Sequence, residues 1–229
     1  MHANLISYSQ PAGRIYAGEP AIKGLDNIQD LIAYCARVSN PSNQANTKTT
    51  SKLLDYLIKH KHWSPFEMAS ACIEITTTRD IARQLLRHRS FSFQEFSQRY
   101  ANINDLSDDF VLREARLQDN KNRQNSIEHD DVELTAWWNA QQNLIIDQVK
   151  RIYNEAIERG IAKEQARAIL PEGNTVSRLY VNGTIRSWIH YIELRSANGT
   201  QKEHMELAIA IAEAIGQIYP KALEFAKEV

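Results

Sequence analysis

Arginine is concentrated in one short stretch of an otherwise neutral sequence. Residues 79–99 contain five arginines, no lysine and only two acids, Asp80 and Glu95. The five are Arg79, Arg83, Arg87, Arg89 and Arg99. A guanidinium group presents a planar fork of donors that matches phosphate oxygens, and it is always charged in proteins. The stretch predicts a site for a small phosphate ester, although a solvated helix face with ion pairs would have the same charge density.

The spacing within this stretch is more specific than its charge. Arg87-His88-Arg89 is followed by seven residues and then by Ser97. This arrangement resembles the signature of the flavin-dependent thymidylate synthases, in which seven variable residues separate an arginine-histidine-arginine triplet from a serine. Further segments resemble that family in the same order: ARVS (36–39), HWSPFE (62–67), ARQ (82–84), Arg167 to Pro171, RSWIHYIELR (186–195), and Gln201 with Glu203. The resemblance covers about residues 30–100 and 160–217.

The resemblance implies an activity, a cofactor and an assembly. Members of the family convert deoxyuridine monophosphate (dUMP) to deoxythymidine monophosphate (dTMP). They take the one-carbon unit from methylenetetrahydrofolate and a hydride from NADPH through bound FAD. They act as homotetramers whose active sites combine residues of several subunits. For this chain the resemblance implies dUMP and folate as ligands, FAD as cofactor, NADPH as reductant and a homotetramer with shared sites.

The resemblance also implies roles for individual residues. The expected substrate-binding residues are Gln84, Arg87, Glu95, Ser97, Gln98, Arg99, Arg167 and Arg195. The expected cofactor-binding residues are Ser64, Arg87, His88, Arg89, Glu95, Thr184, Arg186 and His190. Arg195 and His62 are the expected catalytic residues. The family often has an asparagine two residues before the helical arginine, where this chain has Thr184, with Asn182 two positions further back. The sequence leaves open which of these two contacts the flavin.

Several of these residues have a simpler structural interpretation. Arg195 lies at the end of a predicted helix, where a cation stabilises the helix dipole by about 0.3–1 kcal/mol. The alternative is a guanidinium that favours an electron-rich, anionic uracil ring. For His190 the alternative is an ordinary hydrogen-bonded helix residue, and for His62 it is a loop residue. No base is evident beside Ser97, so we expect its hydroxyl to donate to phosphate rather than to act as a nucleophile.

The cysteines and glycines argue against three kinds of site: a metal site, a cysteine nucleophile and a Rossmann dinucleotide site. Cys35 and Cys72 are the two cysteines, both lie in apolar patterns, and neither belongs to a CxxC or Cys/His metal spacing. We expect both to be buried, reduced thiols, and we expect no metal site. None of the eight glycines forms a Gly-x-Gly pair, so the sequence lacks a Rossmann phosphate loop. A flavin held by arginines suits a chain without a cysteine nucleophile.

The overall charge argues against a general nucleic-acid binder. Lys and Arg total 27 and Asp and Glu total 28, which gives a formal net charge of -1. The rival hypothesis is a nucleic-acid-binding module in which the arginines contact phosphates and Phe91, Phe93 and Phe96 stack on bases. No apolar run approaches the roughly 18–20 residues of a membrane span. We expect a cytoplasmic protein that binds neither nucleic acid nor membrane.

The elements that position these residues follow from the apolar spacing. We predict strands at 5–9 and 68–78, a loop marked by Gly13, Gly18, Pro20 and Gly24, and a variable surface excursion at 102–131. We also predict seven helices. One begins near Leu25, and the others include the ranges 53–58, 79–86, 132–159, 162–170, 185–192 and 207–215. Leu144, Ile145, Val149, Ile152 and Ala156 form one side of the 132–159 helix, and Asn182-Gly183 is predicted as a break.

Many helices and few strands indicate an α+β fold. The sequence shows no internal repeat and no linker long enough to separate two domains. We therefore predict one domain over residues 1–229. The expected architecture is a small antiparallel sheet flanked by several helices.

Overall fold

A four-stranded antiparallel sheet carries the helices of this computed structural model, which describes residues 1–12, 25–106 and 109–226. The strands are β1 (His2–Tyr8), β2 (Ser70–Thr78), β3 (Ser92–Glu95), β4 (Leu117–Gln118), β5 (Ser126–Ile127) and β6 (Val176–Thr184). The order in the sheet is β1-β2-β6-β3, and β4 and β5 form a separate hairpin. The predicted edge strand at 5–9 is confirmed as part of β1, whereas the predicted loop at Gly13 to Gly24 lies outside the described residues.

Seven α-helices lie among the described residues. They are α1 (Ile28–Ala36), α2 (Thr50–Lys59), α3 (Arg79–Leu85), α4 (Val132–Glu158), α5 (Lys163–Ala166), α6 (Ile185–Arg195) and α7 (Lys202–Gly216). Short 3₁₀ turns cover Pro41–Asn43, Ser64–Met68, Ile103–Asp105, Arg167–Ile169 and Pro220–Phe225. The helix predicted over 162–170 is therefore divided, since α5 ends at Ala166 and a 3₁₀ turn completes it.

Strand β2 follows its alternating sequence. Ala71, Ile73 and Ile75 are buried on one face, whereas the residues between them are partly exposed. Helices α6 and α7 cover the buried face of the sheet with fully buried side chains such as Trp188 and Ile211. The Trp188 ring nitrogen donates to the carbonyl of Ala71 over 3.0 Å, which fixes α6 on β2. The predicted strand at 68–78 is confirmed, with its start at Ser70.

The predicted break at Asn182-Gly183 is wrong, because β6 continues through both residues. Gly183 pairs with Ala71 of β2, and Asn182 pairs with Cys72. A Cβ atom at Gly183 would lie 2.2 Å from Cδ1 of Phe91. The glycine thus marks a close approach of an aromatic ring to a strand rather than a turn.

The long helix α4 has the predicted length, but only part of its predicted apolar side is covered. Val149 and Ala156 pack against a buried cluster that includes Tyr153. Leu144, Ile145 and Ile152 are 64%, 52% and 39% exposed. The residues that α4 buries are Gln142, Ile146 and Tyr153. A buried glutamine on this side is possible because the Gln142 side chain pairs with both backbone groups of Arg113.

The segment 102–131, predicted as a surface excursion, makes specific contacts with the helices of the fold. Ile103 is 1% exposed and packs against α4. Arg113 pairs with Asp80, and Arg116 pairs with Glu203 over 2.6 Å. Isolated polar residues of this kind leave no apolar periodicity in the sequence, which is why the contacts were not predicted.

The observed fold confirms the α+β class with a small antiparallel sheet and several helices. Both cysteines are free and half-buried, where full burial was predicted, and burial raises the pKa of each thiol. None of the helices in the described ranges is both long and apolar enough to span a membrane.

Candidate active site

The triplet Arg87-His88-Arg89 lies in the turn between α3 and β3. The backbone N–H of His88 donates to the carbonyl of Leu85 over 3.0 Å, so the turn continues directly from the end of α3. His88 is half-buried, whereas Arg87 and Arg89 are exposed. Neither arginine forms a side-chain hydrogen bond or ion pair with another residue of the described ranges. Their guanidinium donors are open to a ligand.

His88 is joined to Arg195, the last residue of α6. The Nε atom of Arg195 donates to Nε2 of His88 over 2.9 Å. A ring nitrogen that accepts a hydrogen bond carries no proton, so neutral His88 holds its proton on Nδ1. Burial, and then the charge of Arg195, lowers the pKa of His88 to about 4. The ring is therefore neutral near pH 7.

Gln84, one turn before the triplet, lies in a buried polar group beside α7. Its Nε2 donates to Oε1 of Gln201 over 2.8 Å, and its Oε1 lies 3.1 Å from Nδ1 of His204. The other ring nitrogen of His204 lies 3.1 Å from the Tyr191 hydroxyl. Burial, and then the charge of Arg195, lowers the pKa of His204 to about 3. Gln84 is thus held on both sides of its amide.

Sequence reasoning missed His204 and Tyr191 as members of this group. One signal was available for His204, which precedes Leu207, Ala208 and Ile211 at spacings of three, four and seven residues. A histidine on the apolar side of a helix must find a buried partner. Tyr191 carries no such signal, because its neighbours on α6 are apolar as well.

Glu95 lies at the end of β3 in a second polar group. The Ser177 hydroxyl donates to Oε1 of Glu95 over 2.8 Å, and Arg79 lies 3.5 Å from the same oxygen. Arg79 and Arg83 both pair with Glu172. With Arg99, which pairs with Glu164, three of the five clustered arginines form ion pairs, which was the structural alternative for the cluster.

The residues after β3 lie against α5. Arg99 pairs with Glu164 over 3.3 Å at the surface, and Nζ of Lys163 donates to the carbonyl of Tyr100 over 2.9 Å. Ser97 lines the same shallow cleft. Gln98 is 3% exposed, and its Nε2 has no partner among the residues that the structure describes.

Arg167 lies at the carboxyl end of α5 and is half-buried. The structure therefore brings α5 to the loop that carries Ser97 and Arg99. Arg99 and Arg167 thus belong to the region of α5, whereas Arg87 directly precedes His88, the hydrogen-bond partner of Arg195.

A third group contains expected cofactor-binding residues. The rings of Trp63 and His190 meet edge to face at 4.9 Å, and Arg186 pairs with Glu67. Burial, and then the charge of Arg186, lowers the pKa of His190. His62 and Ser64 flank Trp63 and are exposed.

The structure distinguishes the two candidates before Arg186. The Oγ1 atom of Thr184 caps α6 by accepting from the backbone N–H of Ser187 over 3.2 Å. Asn182 is exposed on β6. Both residues lie within one turn of Arg186 in sequence.

No group of three or more His, Cys, Asp or Glu side chains in the described ranges has the arrangement of a metal site. Besides the carboxylates of Glu67, Glu95, Glu164 and Glu172, the polar groups contain guanidinium, amide and imidazole side chains. These side chains are hydrogen-bond donors for anionic and heterocyclic ligands.

Comparison with known proteins places the chain in one family. The pattern of the family described as "Thymidylate synthase complementing protein" matches residues 22–221. A probable flavin-dependent thymidylate synthase of Paramecium bursaria Chlorella virus 1 is 49% identical over 98% of this chain and 100% of that protein. A flavin-dependent thymidylate synthase of Synechocystis sp. is 48% identical over 96% of each chain.

A solved structure shares the fold. The UMP/dUMP methylase PolB from Streptomyces cacaoi, bound with 5-Br dUMP, superposes with a TM-score of 0.76. The superposition covers 97% of this chain and 93% of that one at 24% sequence identity. The family pattern and the relatives near 50% identity, which span almost the whole chain, lead to one conclusion: the chain belongs to the flavin-dependent thymidylate synthase family.

Proposed function

We propose that this chain converts dUMP to dTMP, with methylenetetrahydrofolate as the one-carbon donor and NADPH as the reductant through bound FAD. We further propose that it acts in the cytoplasm as a homotetramer. Membership of the family supports the thymidylate synthase reaction. The remaining support comes from the side chains themselves.

The observation that carries the proposal is the hydrogen bond between Arg195 and His88. The partner of Arg195 is a neutral imidazole, so the guanidinium charge is oriented but not neutralised. A carboxylate partner would cancel that charge. An oriented, uncompensated cation favours the electron-rich, anionic form of a uracil ring. This supports a catalytic role for Arg195 over a role at the helix dipole alone.

The exposed arginines suit the anionic parts of the ligands. Arg87 and Arg89 have free guanidinium forks, which match phosphate or diphosphate oxygens. The buried, unpartnered Nε2 of Gln98 adds a donor whose desolvation a ligand would offset. We assign Gln84, Arg87, Glu95, Ser97, Gln98, Arg99, Arg167 and Arg195 to the nucleotide.

The residues present also fit a flavin. We assign Ser64, Arg87, His88, Arg89, Glu95, Thr184, Arg186 and His190 to FAD, with His62 as a further catalytic residue beside it. The edge-to-face pair of Trp63 and His190 offers an aromatic surface next to the cation of Arg186. When bound, FAD supplies the redox chemistry, and these residues bind and orient it.

The exposed side chains on one subunit support a shared site. Arg87 and Arg99 are exposed. Leu144, Ile145 and Ile152 of α4 are also exposed, although they are apolar. Association of several copies would cover these side chains and bring arginines of different subunits together.

The thiols do not offer an alternative nucleophile. Burial raises the pKa of Cys35 and of Cys72, so that little thiolate forms near pH 7. Neither thiol is placed beside Arg195 or His88 by any contact in the described residues. A reaction that requires no cysteine adduct suits this arrangement.

The test is spectroscopic and chemical. Purified protein should be yellow, its flavin spectrum should change when dUMP is added, and dTMP should form when NADPH and methylenetetrahydrofolate are present. A colourless protein that takes up no added FAD and binds no dUMP would refute the proposal.

A further inference from the structure

A continuous chain of hydrogen bonds runs from Tyr191 to Glu203 and passes through Gln84. Its members in order are Tyr191, His204, Gln84, Gln201 and Glu203. The last bond joins Nε2 of Gln201 to Oε2 of Glu203 over 2.9 Å. Tyr191, His204 and Glu203 are 1%, 0% and 7% exposed, so water competes little for these bonds.

The direction of this chain is set at Glu203. An ionised carboxylate only accepts hydrogen bonds, so Gln201 must offer its Nε2 to Glu203 and keep its Oε1 for Gln84. Gln84 must then offer its own Nε2 to Gln201 and keep its Oε1 for His204. Each amide orientation thus follows from the one before it, beginning at the carboxylate.

The charge of Glu203 is maintained by neighbours from the 102–131 segment. Nη2 of Arg116 donates to Oε1 of Glu203 over 2.6 Å, and Nη1 of Arg113 lies 3.5 Å from the same oxygen. Burial raises the pKa of Glu203, but its own backbone N–H, Arg116 and Gln201 outweigh that effect and lower it. Glu203 is therefore ionised near pH 7.

The orientation of Gln84 matters because a side-chain amide has two chemically opposite ends. With Nε2 directed to Gln201, Gln84 keeps a second N–H on that nitrogen. A phosphate offers only acceptors, so it gains from an N–H and is repelled by a carbonyl oxygen at the same place. Rotation of the amide by a half turn would exchange these two groups.

We propose that Glu203, held by Arg116, is a positioning residue for the nucleotide: through Gln201 it fixes the Gln84 amide with an N–H free for the substrate. Glu203 itself does not touch the substrate. His204 completes the arrangement, because its Nδ1 donor occupies Oε1 of Gln84. The inference rests on the proposed function, in which Gln84 binds dUMP.

The test compares two glutamates on the same helix. Glu203→Gln keeps the side-chain volume but removes the acceptor-only group, whereas Glu206→Gln makes the same change at an exposed position of α7. For Glu203→Gln we expect KM and the calorimetric dissociation constant for dUMP to rise about tenfold, with kcat within about threefold. For Glu206→Gln we expect both values within about twofold of the parent.

A rescue variant separates orientation from general structural damage. Gln201→Glu in the Glu203→Gln background places an acceptor-only group directly beside Gln84, which restores the direction of the amide. We expect this double variant to return KM for dUMP to within about threefold of the parent. A purely structural role for Glu203 predicts no such recovery.

Either of two results overturns the inference. One is an unchanged dUMP affinity in folded Glu203→Gln, and the other is a raised KM that the double variant does not correct. If Glu203→Gln does not fold, Gln201→Met is compared with the double variant instead. The inference then requires Gln201→Met to raise KM about tenfold and the double variant less than threefold, and equal values refute it.

Failure of the proposed function gives a different result. A parent protein that binds dUMP but forms no dTMP refutes the reaction, while the dissociation constants of the same variants still decide the role of Glu203. A parent that binds no dUMP refutes both.

Discussion

Two regions of the molecule hold their polar side chains in opposite ways. Around Gln84 and His204 the amide and imidazole groups are half-buried or fully buried, and each is hydrogen-bonded to another side chain. Around Arg87 and Arg89 the guanidinium groups are exposed and have no side-chain partner in the described ranges. The first region is organised by the chain itself, whereas the second presents charge at the surface. Orientation and attraction are thus supplied by different parts of the same motif.

Arg195 connects the two regions, and its removal should have the largest effect. Arg195→Ala deletes an oriented cation whose partner is neutral, and we expect dTMP formation to fall by roughly 100-fold or more. Steady-state turnover measures this, with flavin absorbance and thermal melting as checks of folding. Arg159→Ala, at an exposed site on the far end of α4, is the matched control. Near-parental turnover in folded Arg195→Ala would return Arg195 to a helix-dipole role.

An exposed arginine should affect ligand affinity without affecting stability. For Arg89→Ala we expect the dissociation constant of FAD to rise about tenfold, because one charge-assisted hydrogen-bonding group is lost. The melting temperature of the apoprotein should stay within about 2 °C of the parent, since surface substitutions change stability little. Flavin fluorescence titration measures the affinity, with Arg123→Ala as the control. A large loss of stability would contradict the distinction between the two regions.

The buried region should respond to acid, whereas the exposed arginines should not. His204 has a pKa of about 3 in the folded chain and about 6.5 when unfolded, so the unfolded state takes up its proton first as the pH falls. The unfolding free energy should therefore decrease by about 2 kcal/mol between pH 7 and pH 5. His88 contributes in the same direction. Denaturant titrations at several pH values give the unfolding free energy, and its decrease between pH 7 and pH 5 should be smaller for His204→Gln than for the parent.

A matched histidine keeps this test specific. His2→Gln removes an exposed histidine of β1 outside the buried polar group and is the matched control for the loss of a histidine. If the unfolding free energies of the parent and of His204→Gln fall equally between pH 7 and pH 5, His204 is already protonated in the folded state.

The smallest effect is expected at the thiols, which belong to neither region. For Cys35→Ala and Cys72→Ala we expect kcat within about twofold, because burial keeps both thiols protonated near pH 7. Turnover per folded molecule is the measurement. Abolished turnover in a folded variant would indicate a thiol mechanism.

The sequence predicted the elements that have a regular apolar pattern. Strand β2 alternates, and α6 and α7 repeat apolar residues at helical spacing, so all three follow directly from periodicity. Strand β6 also alternates, with Leu179 and Val181 buried and the residues next to them exposed, but it was missed because Asn182-Gly183 resembles a turn signal. The position of α4 on the body also depended on a buried glutamine, which no hydrophobic pattern reports.

The candidate site was predictable from its spacing but not from its contacts. The triplet at 87–89 and Ser97 could be recognised because they lie close together in sequence. The bond between His88 and Arg195 joins residues that are 107 positions apart, and no local pattern encodes it. The anchoring of Glu203 by Arg116 spans 87 positions and crosses a segment without periodicity.

Gly183 limits how the motif can evolve. Any side chain at this position would displace the ring of Phe91, which also packs on Trp188 at 4.4 Å and lies 6.3 Å from the ring of His88. Gly183, two residues before α6, therefore leaves the space into which the loop after the triplet packs. Strand β6 and the loop after the triplet can pack this closely because residue 183 has no side chain. Homologues with a larger residue at this position must place the loop differently.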